Sequence, residues 1–180
     1  MFIIVLCSAI LSSFYFSRKI PPCWILPNLD YLNSSSCQQV RLRDTNGVIR
    51  TEERCYPLLI NFADGCCTNS QRGNCFSGFD HGVQQCLPLN KQMFDEDAQF
   101  VERNRNILKK RRGAGYWLWK SYAIYRELYL AREGDVIVYS DSASELVQDI
   151  SHLIQLTEQQ DVVIFSLIGW KVRIYTIFKH

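Results

Sequence analysis

Apolar positions in the second half of the chain alternate between strand-like and helix-like periods. Leu58-Leu59-Ile60-Asn61-Phe62-Ala63 is a nearly continuous apolar run closed by Asp64-Gly65, the pattern of a buried strand and a tight turn. Thr68 to Gly82 is polar and rich in Gly, Asn and Ser, which predicts a loop. Val83 to Leu87 supplies a short strand. From Asp95 to Arg112, the residues Ala98, Val101, Ile107 and Leu108 recur along one helical face. Acidic Glu96 and Asp97 fall in the first turn and Lys109, Lys110, Arg111 and Arg112 in the last, an order that complements a helix dipole. The same basic cluster has the charge to meet a diphosphate.

Gly113-Ala114-Gly115 then makes a flexible break. Tyr116 to Arg132 is apolar around most of its circumference, which predicts a largely buried helix. Gly134 stands where a helix end favours a left-handed residue. Val136-Ile137-Val138-Tyr139 is a second buried strand, stopped by Ser140-Asp141-Ser142. Ser142 and Glu145 have capping-box spacing and predict a helix from Ala143 to Glu158, with Leu146, Ile150, Leu153 and Leu156 as its stripe. Asp161 to Phe165 reads as another strand, completing a βαβ unit with a right-handed crossover. Strands separated by helices define an α/β chain. Gly169 to His180 does not fit this alternation.

The first half is different. Met1 to Phe16 is almost wholly apolar and is followed by Ser17-Arg18-Lys19. It is shorter than the roughly 20 residues that span a bilayer and lacks a positive n-region. Residues 1–19 therefore read as a signal peptide or signal anchor, with a buried first strand or helix as the alternative. Residues 20–56 carry Pro21, Pro22, Pro27 and a polar Asn33-Ser34-Ser35-Ser36 tract, and read as a stem or irregular segment. Asn33-Ser34-Ser35 fits the N-glycosylation pattern. The domain proper is 57–180.

Composition narrows the classes. With 180 residues, 47% of them hydrophobic and 13% aromatic, the chain has material for one globular α/β domain. A formal charge of +2 gives no reason to expect nucleic acid as a partner. All eight cysteines lie between Cys7 and Cys86. Cys66, Cys67, Cys75 and Cys86 lack zinc-site spacing, so a cysteine-rich, disulfide-bonded N-terminal segment in an oxidising compartment is the reading, against free thiols in the cytosol. Adjacent Cys66 and Cys67 are expected to go to different partners.

Candidate chemistry gathers at strand ends. Asp141 follows a strand, at the edge where open α/β sheets place ligands. Asp64 ends the first strand, where its residue type suits a helix cap for the segment that follows. Lys120, near the start of an apolar helix, has the point charge to meet phosphate. Trp117 and Trp119 suit either stacking on a sugar or base, or core packing. His81 and His152 are further proton carriers, with His152 on a helix surface.

The stretches RGAGYWLWKSY and GDVIVYSDSAS, with INFADGCC and FDEDAQFVERNRNIL, resemble a group of glycosyltransferase-like proteins of the GT-A type, in the nucleotide-diphospho-sugar transferase superfamily. The resemblance runs from about Leu58 to Phe165. It implies a Rossmann-like GT-A sheet flanked by helices, and a sugar transferred from a nucleotide-diphosphate donor to a glycan or protein acceptor. It also implies donor contacts at Asp64, Lys120 and Asp141, and a divalent metal, manganese, at Asp141. Such proteins hold the metal with Asp-x-Asp; here the triplet is Asp141-Ser142-Ala143, with one carboxylate. The leader adds an endoplasmic reticulum or Golgi membrane location with a lumenal domain, or secretion. The chain stops where the family builds its acceptor site, as a truncated product would. The alternative is a non-catalytic glycan- or nucleotide-binding domain.

Overall fold

Two short strands are buried at every position, and a sheet forms around them. The structure is a computed structural model and describes residues 2–6, 36–157 and 162–165. In chain order the elements are β1 (Phe2–Leu6), β2 (Ser36–Arg43), β3 (Ile49–Tyr56), β4 (Leu58–Phe62), α1 (Thr68–Asp80) and β5 (Gln85–Leu89). A 3-10 helix (Lys91–Glu96) follows, then α2 (Ala98–Leu108), the single turn α3 (Gly113–Tyr116), α4 (Leu118–Leu130), β6 (Val136–Ser140), α5 (Ser151–Thr157) and β7 (Val162–Phe165). The chain is mixed α/β. A five-stranded sheet runs in the order β5-β4-β6-β1-β7, and β2-β3 form a separate pair. Every pairing in the larger sheet is parallel.

β4 and β6 are the buried strands. Successive side chains of a strand point to opposite faces, and both faces here are covered, which explains why neither sequence alternates. Leu58, Ile60 and Phe62 of β4, with Ile137 and Tyr139 of β6, pack against Trp119, Tyr122, Ala123 and Leu128 of α4 and Met93 of the 3-10 helix. Leu59, Val136 and Val138 face the other way, toward Val83, Leu146, Ile150 and Ile154. α1 packs on that second face so closely that a Cβ on Gly78 would come 2.7 Å from Leu59 Cδ2.

The polar stretch expected to be a loop is α1. Its inward side is Gln71, Asn74, Cys75 and Gly78, so no apolar stripe betrays it, and the Cys75–Cys86 disulfide ties it to β5. The expected helix from Ala143 to Glu158 is only α5. Asn74 Nδ2 donates to Ser144 O at 2.9 Å, Leu146 N donates to Ser77 Oγ at 3.0 Å, and Ile150 N donates to His81 O at 3.0 Å. α1 thus captures backbone groups that a helix would satisfy internally, and Ser142 starts no helix. Leu146 and Ile150 are buried all the same.

The expected helix from Asp95 begins later. Asp97 is its N-cap, with Oδ1 accepting from Phe100 N at 2.8 Å, and α2 has no fully buried residue. The expected βαβ neighbours β6 and β7 are separated by β1, which pairs with both. Phe2–Leu6 lie within the stretch assigned to targeting; a short apolar β-branched run has the composition of a parallel strand as well. Residues 7–19, Cys7, Cys23, the Asn33 pattern and 169–180 lie outside the described residues. Of the expected stem, residues 36–43 and 49–56 form a regular antiparallel pair bridged by the Cys37–Cys55 disulfide. No helix among the described residues is long and apolar enough to cross a membrane.

The β2-β3 pair is docked on α4 by charge. Arg54 Nε lies 2.9 Å from Glu127 Oε2, both side chains being almost wholly buried. Glu96 extends the network to Arg126 and Arg50. Burial works against the Arg54 charge, but the Glu127 and Glu52 carboxylates outweigh it and its pKa is raised. Gln38 Nε2 adds a bond to Leu130 O at 2.9 Å.

Candidate functional site

Asp141 is the first residue beyond β6, and Lys120 lies in the first turn of α4. The fold brings them together: Lys120 Nζ is 2.6 Å from Asp141 Oδ1, with each side chain about a quarter exposed. Tyr139 donates its hydroxyl to the same oxygen at 2.6 Å. The Lys120 ammonium also lies 5.5 Å from the Tyr139 ring centroid and 5.6 Å from that of Trp119, within range of cation–π attraction. The result is a cation held by one carboxylate and two aromatic rings at the C-terminal edge of a parallel sheet.

Two features hold this arrangement in place. Asn74 Nδ2 donates to Ser140 Oγ at 2.9 Å as well as to Ser144 O, and Asn61 Nδ2 donates to Asn74 Oδ1 at 2.6 Å. This buried amide chain clamps the turn that carries Asp141. On the other side, the start of α4 is set by α3, where five consecutive residues have positive φ: Gly113, Ala114, Gly115, Tyr116 and Trp117. They form a left-handed turn closed by Gly115 N to Lys110 O, Tyr116 N to Arg112 O and Trp117 N to Gly113 O. Three of the five carry side chains, for which left-handed backbone costs about 1–2 kcal/mol per residue. Trp119 offsets part of this. Its indole stacks on Phe62, with centroids 4.1 Å apart, and donates Nε1–H to Gly113 O at 3.0 Å.

Asp64 stands apart from this pair. It follows β4 at the same edge of the sheet as Asp141, since β4 and β6 are adjacent and parallel, but its carboxylate is paired with Lys91. It does not cap α1, whose N-cap position is Cys67. Lys91 borders a cavity of about 460 Å³ between the β2-β3 turn, the 3-10 helix, α2 and α3, a size in the range of small-molecule sites. Asp95 and Glu102 are acidic residues of its lining, and Phe94, Val101 and Leu108 are apolar ones. Asp64 therefore joins the cavity through Lys91, while Lys120 and Asp141 form a second centre.

The two tryptophans divide. Trp119 is core, and Trp117 is 46% exposed with the Arg112 guanidinium 5.9 Å from its ring centroid. Lys109 to Arg112 are all exposed beyond α2. His81 Nδ1 donates to Ser77 O at 2.7 Å; it ends α1, at the sheet edge opposite Asp141. His152 is exposed on α5. Tyr139 and Lys91 were not singled out from the sequence. The in-strand position of Tyr139, two before Asp141, was the available signal, whereas nothing near Lys91 marked it.

A divalent cation would find a sparse donor set. Within contact of one another, the only three potential ligands among the described residues are Cys37, Glu53 and Cys55, and the two cysteines are joined as a disulfide. Asp141 offers a single carboxylate, with Oδ1 already engaged. A cation held there by one carboxylate would complete its shell with water or with oxygens of a bound ligand, as magnesium-like ions commonly do. Comparison with family models, with curated proteins and with solved structures gives no match for this chain.

Proposed function

We propose that the protein is a glycosyltransferase-like domain with a Rossmann-like GT-A sheet, binding a nucleotide-diphospho-sugar at the C-terminal edge of β4 and β6. The observation that supports this reading is the Lys120–Asp141 pair. Lys120 has an ammonium partly withdrawn from water, where it offsets the charge that builds on a departing diphosphate. Asp141 and Tyr139 orient it. Asp141 would also hold manganese, which supplies further charge neutralisation when bound. Asp64, paired with Lys91, would contact the base or ribose. The acceptor is a glycan or protein, and the setting is the endoplasmic reticulum or Golgi lumen or the secreted space, consistent with the two disulfides.

A second reading is a binding domain without turnover. Neither His81 nor His152 stands at Asp141, so no histidine among the described residues is poised as a base for an acceptor hydroxyl. A thermal-shift screen of uridine and guanosine diphosphates, with and without manganese, tests both. Manganese-dependent stabilisation by a nucleotide supports the donor site. Stabilisation by free glycans with no response to nucleotide supports the binding domain and removes the transferase reading.

A further inference from the structure

Cys66 and Cys67 are both exposed, and their Sγ atoms lie 2.7 Å apart. The other four cysteines among the described residues are joined, Cys37 to Cys55 and Cys75 to Cys86. Cys66 and Cys67 instead face each other, contrary to the expectation of separate partners. The backbone has already made the turn that brings both sulfurs to one side. Cys66 N donates to Asp64 O at 2.9 Å, and Cys67 sits in the left-handed region at φ 70°, an uncommon place for a residue with a side chain.

Spacing distinguishes this pair from Cys75–Cys86, whose Cα atoms stand 5.5 Å apart. Adjacent Cα atoms are about 3.8 Å apart across a trans peptide, below the roughly 4.4–6.8 Å that disulfides usually span. A bond between neighbours is therefore strained, and strained, exposed disulfides are the readily reduced ones. Such a pair cycles where a structural bridge persists.

We propose that Cys66 and Cys67 are a redox-active vicinal dithiol that closes reversibly to a vicinal disulfide by exchange with a small disulfide, R–S–S–R. The thiolate of Cys66 attacks one sulfur of that disulfide. A mixed disulfide forms, and RS⁻ leaves and takes up the proton that Cys66 released. Cys67 then loses its proton and attacks the Cys66 sulfur of the mixed disulfide, closing the Cys66–Cys67 bond; a second RS⁻ leaves and takes that proton. Two protein thiols are oxidised, and one R–S–S–R is reduced to two R–SH. Hydrogen bonding to Cys66, with some desolvation, pushes the Cys67 thiol up. The closed ring stiffens the connection from β4 to α1, the turn that carries Asp64 to Lys91. None of this depends on the glycosyltransferase reading.

The test is redox titration of the full chain in glutathione buffers, with differential alkylation and peptide mass spectrometry. The expected result is that Cys66 and Cys67 lose two hydrogens together in a peptide cross-linked within itself. This should occur at glutathione ratios where Cys75–Cys86 stays oxidised throughout. C66S and C67S should each accumulate a stable adduct of one glutathione on the remaining thiol, whereas the unmodified chain should not. Reduced protein should also take up one equivalent of phenylarsine oxide, and either variant should lose that uptake. A bridge from Cys66 or Cys67 to Cys7, Cys23 or a second chain overturns the proposal. So does the persistence of both free thiols across the titration. Mapping of the unmodified chain decides the matter even if a variant fails to fold.

Discussion

Lys120 and Asp141 lie 21 positions apart in sequence, yet their charged atoms meet at 2.6 Å. α4 delivers one to the sheet edge and β6 the other. Because both are about a quarter exposed, water screens the pair, and Asp141→Asn should cost only about 0.2–1 kcal/mol of stability. Binding should respond more. Lys120→Met should weaken nucleotide diphosphate binding whether or not manganese is present, and Asp141→Asn should remove the manganese dependence alone. Titration calorimetry of each single variant and of the pair gives the coupling between them. Equal binding by all of them would leave the pair a surface ion pair.

Glu127 should be far less tolerant. Its carboxylate is wholly buried and faces the buried Arg54 guanidinium, whose Nη2 has no partner. Glu127→Ala leaves the buried Arg54 guanidinium with only the partly exposed Glu52 carboxylate opposite it, and breaking a buried pair typically costs about 3–5 kcal/mol. Urea unfolding should show that loss. Replacing Arg54 and Glu127 together by Met and Leu should recover most of it, because the remaining cost is packing.

Gly115 tests the left-handed turn. It has φ 97°, and a Cβ there would stand 3.0 Å from the Leu108 backbone. Gly115→Ala should lower stability by at least about 1–2 kcal/mol from the left-handed conformation alone. Gly47 has φ 82° with nothing near its Cβ position, so Gly47→Ala should show the conformational cost without the clash. The difference in melting temperature between the two isolates the contact with α2.

Tyr122 predicts an alkaline limit. It is buried against Phe94 and Phe100, and burial pushes its phenol from 10.0 up to about 12. The folded state thus favours the protonated phenol. The associated stability is complete below pH 10 and falls as pH rises from there toward 12. Tyr122→Phe should flatten that fall while leaving unfolding at neutral pH little changed, as read by denaturant curves at pH 7.5 and pH 10.5.

Strands β4 and β6 were legible because a continuous β-branched and apolar run between turn residues has few other fates. The same held for the buried α4 and for the position of Asp141 after a strand. These features are local: side-chain shape, period and the residues that stop an element. The sequence also marked Lys120 as a charge on an apolar helix, whereas Cys66 and Cys67, expected to take different partners, face each other.

What the tertiary structure decided lies in contacts between distant segments. α1 is a helix whose inner face is polar, because Gln71 and Asn74 bond across to Leu89 O, Asn61, Ser140 and Ser144. Periodicity of apolar residues carries no trace of such a face. The capping-box pattern at Ser142 and Glu145 lost to the same helix, since Asn74, Ser77 and His81 took the backbone groups of the following turn. Gly113-Ala114-Gly115 read as flexible and Tyr116-Trp117 as helix, whereas packing of Trp119 on Phe62 helps hold Gly113 to Trp117 in a left-handed turn. Local propensity proposes a conformation at a cost of tenths of a kcal/mol per residue. Buried hydrogen bonds left unmade cost about 1–3 kcal/mol each, so wherever the two disagree along this chain the long-range partner sets the outcome.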